Sequence, residues 1–158
     1  MQNREISRQI QQLHNLIQRT NEACGDNSEI QSHWAKYLCI MSAGLIENSL
    51  KEIYIDFANE KASKPIANFI SSKISQIRNP KPDKFFDIAA SFNPNWKDEL
   101  QNYMQTDGRG DAIESIMNNR HLIAHGKSRD SRVTVVQIKE WLFKSVQVLE
   151  FIETQCKR

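Results

Sequence analysis

Little in this sequence punctuates it. Its 158 residues include only five glycines and four prolines, too few for a loop-rich or all-β chain whose turns depend on both. The three cysteines, Cys24, Cys39 and Cys156, are odd in number, widely spaced and without a CxxC pair. They suggest neither a disulfide framework nor a zinc knuckle, and read as buried thiols in a reducing compartment. No stretch approaches the ~20 apolar residues that cross a bilayer. The amino terminus, MQNREISRQIQQ, lacks the apolar centre of a signal peptide, so a cytoplasmic protein with no membrane partner is expected. Excess charge is also lacking: Lys and Arg total 21 against 19 Asp and Glu, a net of +2. A general basic coat for nucleic acid is thereby excluded, and only a local basic patch remains to be sought.

What is present is the composition of an ordinary globular protein, 39% apolar and 25% charged. A chain of this length is expected to form one domain, residues 1–158, able to bury about 70% of its unfolded surface. Apolar residues recur at helical steps almost throughout. Ile6, Ile10, Leu13 and Ile17 mark a first helix that should stop near Cys24-Gly25, where glycine can adopt positive φ. Asp26, Asn27 or Ser28 can cap a long second helix towards residue 62, with Ile30, Trp34, Leu38, Met41, Leu45 and Ile53 as its apolar positions. Gly44 inside that helix costs about 1 kcal/mol against alanine, which a close helix–helix approach would explain.

Ser63 precedes a third pattern, with Ile66, Phe69, Ile70, Ile74 and Ile77 on one stripe. The prolines of RNPKPDKFF then break the chain. Phe85, Phe86, Ala89 and Ala90 predict a short helix. Asn93-Pro94 reads as a cap followed by proline at the first helical position, leading to Trp96, Leu100, Tyr103 and Met104. TDGRGD reads as a turn, its arginine-glycine-aspartate tripeptide as coincidence, and Asp111 with Glu114 has capping-box spacing for a helix starting there or slightly earlier. Thr134 caps a final helix carrying Val135, Ile138, Leu142, Leu149 and Ile152. The expected fold is all-α: an up-and-down bundle of about four long helices, with two short ones inserted in its middle.

The chemistry-bearing cluster lies on the penultimate helix. Ile113, Ile116, Arg120 and Ile123 follow steps of three, four and three, which puts an always-charged guanidinium on an apolar stripe. Met117, His121 and His125 form the adjacent stripe. Between Arg120 and Arg132 there are four cations, Arg120, Lys127, Arg129 and Arg132, against Asp130 alone, a local +3. Three readings follow from these residues. Arg120 can pair with an interior carboxylate such as Glu47, with the histidines merely filling a helix end. His121 and His125, four apart, can be two metal ligands, although Leu122 stands where a zincin would place glutamate and no third ligand cluster is evident, so no metal or other cofactor is expected. Alternatively, histidine can move the proton of a ribose 2′-hydroxyl while arginine holds the phosphate.

The stretch NNRHLIAHG resembles the Arg-x4–6-His motif of the HEPN superfamily, and PDKFFDIAASFNPNWKDEL with RGDAIESIMNNRHLIAHGK is similar to its RiboL-PSP-HEPN branch. The similarity runs from about residue 30 onward. It implies a HEPN-like bundle and metal-independent endoribonuclease activity, in which 2′-hydroxyl attack leaves a 2′,3′-cyclic phosphate and a 5′-hydroxyl. Arg120 and His125 would then be the catalytic pair. His121 would occupy the polar position after the arginine, usually asparagine, and either assist proton transfer or orient phosphate. Glu47 is similar to an acidic residue often found near such a pair and, with Asn119, would support it. Lys127, Arg129 and Arg132 would contact RNA.

The resemblance further implies a homodimer whose two motifs face each other across a cleft, and a role in prokaryotic defence or stress alongside an antitoxin or defence-system partner. Arg120 and His125 are five residues apart, about 140° around a continuous helix. Both can reach one phosphate if the helix ends near Ala124, or if a second protomer supplies the complementary group. Some HEPN toxins carry a tyrosine two residues past the histidine that a nucleotidyltransferase antitoxin modifies. Lys127 stands there, so that pairing is not implied. The alternative is a HEPN module that binds RNA or protein without cleavage, or serves only to dimerise.

Overall fold

The computed structural model describes residues 1, 3–25 and 27–158, and its helix boundaries follow largely from caps written in the sequence. α1 (Arg4–Cys24) opens on Asn3, whose side chain accepts hydrogen bonds from the N–H groups of Glu5 and Ile6. Two donors that would lack partners at a helix start are thereby satisfied. α1 ends where Gly25 takes φ +48°, a conformation that a β-carbon disfavours. Among the candidate caps for α2 (Ser28–Lys61), Asn27 serves, accepting from the Ile30 N–H at 3.1 Å. Asp26 lies outside the described residues.

α3 (Lys64–Ile74) carries Pro65 in its first turn. Asn93 closes α4 (Pro82–Phe92) and opens α5 (Pro94–Gln105): its N–H donates to the Ala89 carbonyl, and its side chain accepts from the Asn95 N–H at 3.0 Å. α6 (Arg109–Ala124) is followed by α7 (Val135–Cys156), where Thr134 and Gln137 form a reciprocal capping box. No strand occurs among the described residues.

The four longest helices, α1, α2, α6 and α7, run alternately up and down. Asn3, at the start of α1, donates its amide to Asp56 near the end of α2 and its backbone N–H to the Glu153 carboxylate at the end of α7. Arg109, at the start of α6, bonds Gln147 in the second half of α7. α2 is therefore antiparallel to both α1 and α6. Cys39 of α2 faces α6, its thiol donating to the Ile116 carbonyl at 3.5 Å. One core draws on all seven helices. Ile6, Leu38, Ile46, Leu50, Tyr54, Phe85, Leu100, Ile113, Ile116 and Ile138 are sealed within it, and Tyr54 stacks on Phe92 with ring centroids 5.0 Å apart.

Several expectations are corrected. Three short helices, not two, fill the middle of the bundle. α6 takes the slightly earlier start allowed for, at Arg109, but not the Asp111–Glu114 box: Gly108, at φ +66°, takes the cap position without a side-chain bond. Arg109 in its first turn is held by Gln147, Thr106, the Tyr103 carbonyl and Asp107, with its guanidinium over the Tyr103 ring at 4.2 Å. These bonds anchor the turn in place of the Asp111–Glu114 box. Ile30, Trp34 and Met41 of α2, and Ile66 and Phe69 of α3, are exposed. A β-carbon placed on Gly44 would meet open space, so among the described residues no helix approaches closely there.

Candidate active site

The end of α6 is built by a glycine. The N–H of Lys127 reaches back to the Leu122 carbonyl at 2.9 Å, and that of His125 to His121 at 3.1 Å. Gly126 between them adopts φ +75°. This is the Schellman ending, in which a left-handed residue folds the chain back over the last carbonyls. The helix therefore stops at Ala124, and His125 already departs from helical geometry at φ −100°, ψ 24°.

The loop that follows is tied back to the same helix. Ser131, buried, donates its hydroxyl to Asn119 Oδ1 at 2.8 Å, while the Asn119 amide donates to the Ser115 carbonyl at 2.9 Å. Val133 and Val135 are buried, and the capping box at Thr134 starts the next helix. Asn119 thus fixes the loop carrying Lys127, Arg129 and Arg132, and has no bond to Arg120 or His125. The Asn119–Ser131 clamp joins positions twelve apart across a turn, a pairing that no helical spacing announces.

The rings of His121 and His125 are in contact, with centroids 4.3 Å apart and planes tilted by 50°, and both residues are exposed. Arg120 is half-buried on the stripe that continues from Ile113 and Ile116. Its guanidinium engages no hydrogen bond or ion pair among the described residues, and neither do the side chains of Lys127, Arg129 or Arg132. The two arginines of α6 thus differ in kind: Arg109 is held on every side, whereas Arg120 keeps its donors available. No group of three or more metal-ligating side chains is found among the described residues.

Glu47 lies elsewhere. Its carboxylate accepts from Lys51 Nζ at 2.7 Å and from the Asn79 N–H at 2.6 Å, with Arg78 at 4.0 Å. Burial acts to raise its pKa, but the bonds from Lys51 and Asn79, and the charge of Arg78, outweigh it and hold the carboxyl below its usual range. Cys39 marks where α2 meets Ile116. From there Arg120 is one turn in one direction and Glu47 eight residues in the other, an axial separation of about 18 Å at 1.5 Å per residue. Within one chain, Glu47 neither pairs with Arg120 nor supports the histidines. Its work is to hold the connection between α3 and α4, where Asn79 sits at φ +48°.

An all-helical bundle with an Arg-x4-His segment closing its penultimate helix is a HEPN-type domain. The chain matches the RiboL-PSP-HEPN family model over residues 2–158. It belongs to that family, and the match includes α1 as well as the segment from residue 30 onward. No curated protein and no solved structure matches the chain. HEPN domains are generally ribonucleases or RNA binders and commonly dimerise. No helix of the described residues is long and apolar enough to cross a membrane.

Proposed function

We propose that the chain is a metal-independent endoribonuclease working as a homodimer, with Arg120 and His125 as its catalytic pair. The observation that carries this reading is the contrast within α6: the guanidinium beside two touching imidazoles has no partner among the described residues, while the other is fully engaged. His125 keeps a hydrogen bond and a ring contact to His121, one turn back, so it stays on the His121 face of α6, and a second copy brings the complementary group to the phosphate that Arg120 holds. The reaction needs no activated water. His125 takes the proton of a ribose 2′-hydroxyl, the freed oxygen attacks the adjacent phosphorus, and the bond to the 5′-oxygen breaks as that oxygen gains a proton. Arg120 stabilises the charge building on the phosphoryl oxygens. His121, against His125, assists the proton's passage. Lys127, Arg129 and Arg132 hold the neighbouring phosphates, and a second copy completes the surface along which RNA lies. The cellular setting consistent with this activity is a toxin-like effector of defence or stress, restrained by a partner.

The test is incubation of the purified protein with mixed RNA in EDTA, beside Arg120→Ala and His125→Ala variants of equal thermal stability. Cleavage by the parent alone is expected. RNA binding without cleavage, unchanged in His125→Ala, would instead make the chain a binding module. Mixing the two inactive variants examines the dimer: recovery of part of the activity is expected where one chain supplies Arg120 and its partner His125.

A further inference from the structure

α3 and α4 follow one another in sequence but do not pack together. α3 lies on α2, and α4 lies on α5 and α6. The chain between them turns through Asn79, at φ +48°, where the Glu47 carboxylate holds it. A cleft of about 430 Å³ remains between the two helices, in the size range of a binding site. Its floor is apolar: Ile70, Ile74 and Ile77 come from α3 and the turn after it, Ile88 and Phe92 from α4. Phe69 at its rim is 63% exposed, and Ile66, one turn before Ile70 on the same stripe, is 55% exposed. The apolar stripe of α3 thus faces solvent over much of its length, about 12 Å from Ile66 to Ile74. An apolar surface that is continuous in this way marks an interaction site, whereas single exposed residues do not.

Charge says what fits there. Lys73 and Lys84 line the cleft, one from each helix, and no carboxylate lines it. Lys73 Nζ stands 5.6 Å from the centre of the Phe69 ring. Elsewhere the lysines of this fold take a carboxylate one turn away: Lys51 with Glu47, Lys144 with Glu140, and Lys157 with Glu153. The ammonium groups of Lys73 and Lys84 have no such partner among the described residues. Residues 64–91 carry five cations against Asp83 and Asp87, a local +3 that exceeds the +2 of the whole chain. Two cations flanking an apolar floor match an occupant with leucine-like residues on one side and carboxylates beside them. A gap between two helices suits a third helix, whose side chains interdigitate with both. A second copy of the same face would bring lysine against lysine across a two-fold axis. A phosphate backbone would meet the lysines but leave the isoleucine floor uncovered.

We infer that the cleft between α3 and α4 is a docking site for an acidic amphipathic helix of a partner protein. Apolar residues of that helix cover Ile70, Ile74, Ile88 and Phe92, and its carboxylates meet Lys73 and Lys84. The inference goes beyond the ribonuclease reading and does not depend on it. The cleft lies along the second half of α2: Phe92 stacks on Tyr54, and the turn after α3 is tied to Glu47. Glu47 is itself about 18 Å along the axis from the level of Arg120. The docked helix is therefore an anchor, and it leaves the Arg120–His125 segment open.

The experiment is a titration of the full chain, isotope-labelled, followed through its backbone amide resonances. The probe is a capped synthetic helix with leucines at alternating three- and four-residue steps and glutamates on its flanks. Saturable shifts confined to α3, α4 and the turn between them are expected. Lys73→Glu combined with Lys84→Glu alters two exposed side chains and should leave helicity and thermal midpoint unchanged. It should nevertheless weaken binding about tenfold or more, since repulsion replaces two ion pairs at the rim. A second probe, with lysine in place of each glutamate, should prefer that double variant to the parent. Phe69→Ala should weaken the first probe while leaving both lysines in place. No saturable binding, shifts centred on other helices, or a double variant that binds as the parent does would each overturn the inference. So would tighter binding at the same resonances by a single-stranded RNA or by phosphatidylglycerol vesicles, which would make the cleft a nucleic-acid or membrane site. The titration needs no RNA cleavage, so a chain that binds the probe but cuts no RNA would count against the ribonuclease alone.

Discussion

Glu47 gives the sharpest quantitative expectation. Its side chain is 15% exposed, and Lys51, its nearest cation, is 13% exposed. Changing Glu47 to alanine removes a charged acceptor from the Asn79 N–H and an ion-pair partner from Lys51. A hydrogen bond to a charged group contributes about 1.5–3 kcal/mol. Lys51 has a long stem and can swing its ammonium towards water, so the loss of the pair adds less than the ~3–5 kcal/mol of a fully buried one. The sum is about 3 kcal/mol, which for a chain of this size lowers the thermal midpoint by roughly 6–12 °C. Glutamine at the same position keeps an acceptor for Asn79 and should cost about half as much.

The sign with pH follows from the depressed carboxyl pKa. The stabilisation is present above the ordinary carboxylate range and is lost as pH falls through the lower folded-state value. The stability difference between the parent and Glu47→Gln should therefore shrink on acidification below the usual carboxylate pKa. Chemical unfolding monitored by circular dichroism across pH measures this directly. A Glu47→Ala protein as stable as the parent but devoid of RNA cleavage would refute the reasoning, and would return Glu47 to a supporting place beside the catalytic pair.

Three further outcomes follow from other sites. Thr134→Ala removes the reciprocal cap of α7 and should cost about 1 kcal/mol in urea unfolding. Gly126→Ala places a β-carbon at φ +75°; it should lower stability by about 1 kcal/mol and, by displacing His125 and the loop, reduce RNA cleavage more than Thr134→Ala does. Burial pushes the thiols of Cys39 and Cys156 up to about 12, so both stay protonated at pH 8. Neither should react with a thiol reagent in the native protein, whereas all three cysteines should react in denaturant.

Much of the architecture was legible because local signals and tertiary packing agree. Asn93-Pro94, Thr134 and Gly25 mark boundaries that the structure places where the sequence suggested, since a cap is a local bond that needs no distant partner. The all-α class followed from helical periodicity along almost the whole chain. The Arg120–His125 segment stood out because a guanidinium on an apolar stripe contradicts its surroundings. What escaped depends on distant residues. The first turn of α6 is anchored not by an Asp111–Glu114 box but by Arg109 stacking on Tyr103 and reaching Gln147, a choice made across the bundle rather than within the turn. Glu47 looked like a partner for Arg120, yet the Asn79 N–H claims it through a loop 32 positions away. Trp34, Met41 and Phe69 stood on apolar stripes yet are exposed, because periodicity reports which residues share a face, not whether the chain itself covers that face.

The central claim is that Arg120 and His125 cleave RNA through its own 2′-hydroxyl. Its most direct measurement is product analysis by mass spectrometry, in EDTA, for a defined RNA and for the same strand with one 2′-deoxy residue at the cleavage position. The account predicts fragments ending in 2′,3′-cyclic phosphate and beginning with 5′-hydroxyl, and no cut at the deoxy position. A 5′-phosphate product, or an undiminished cut at the deoxy position, would contradict it.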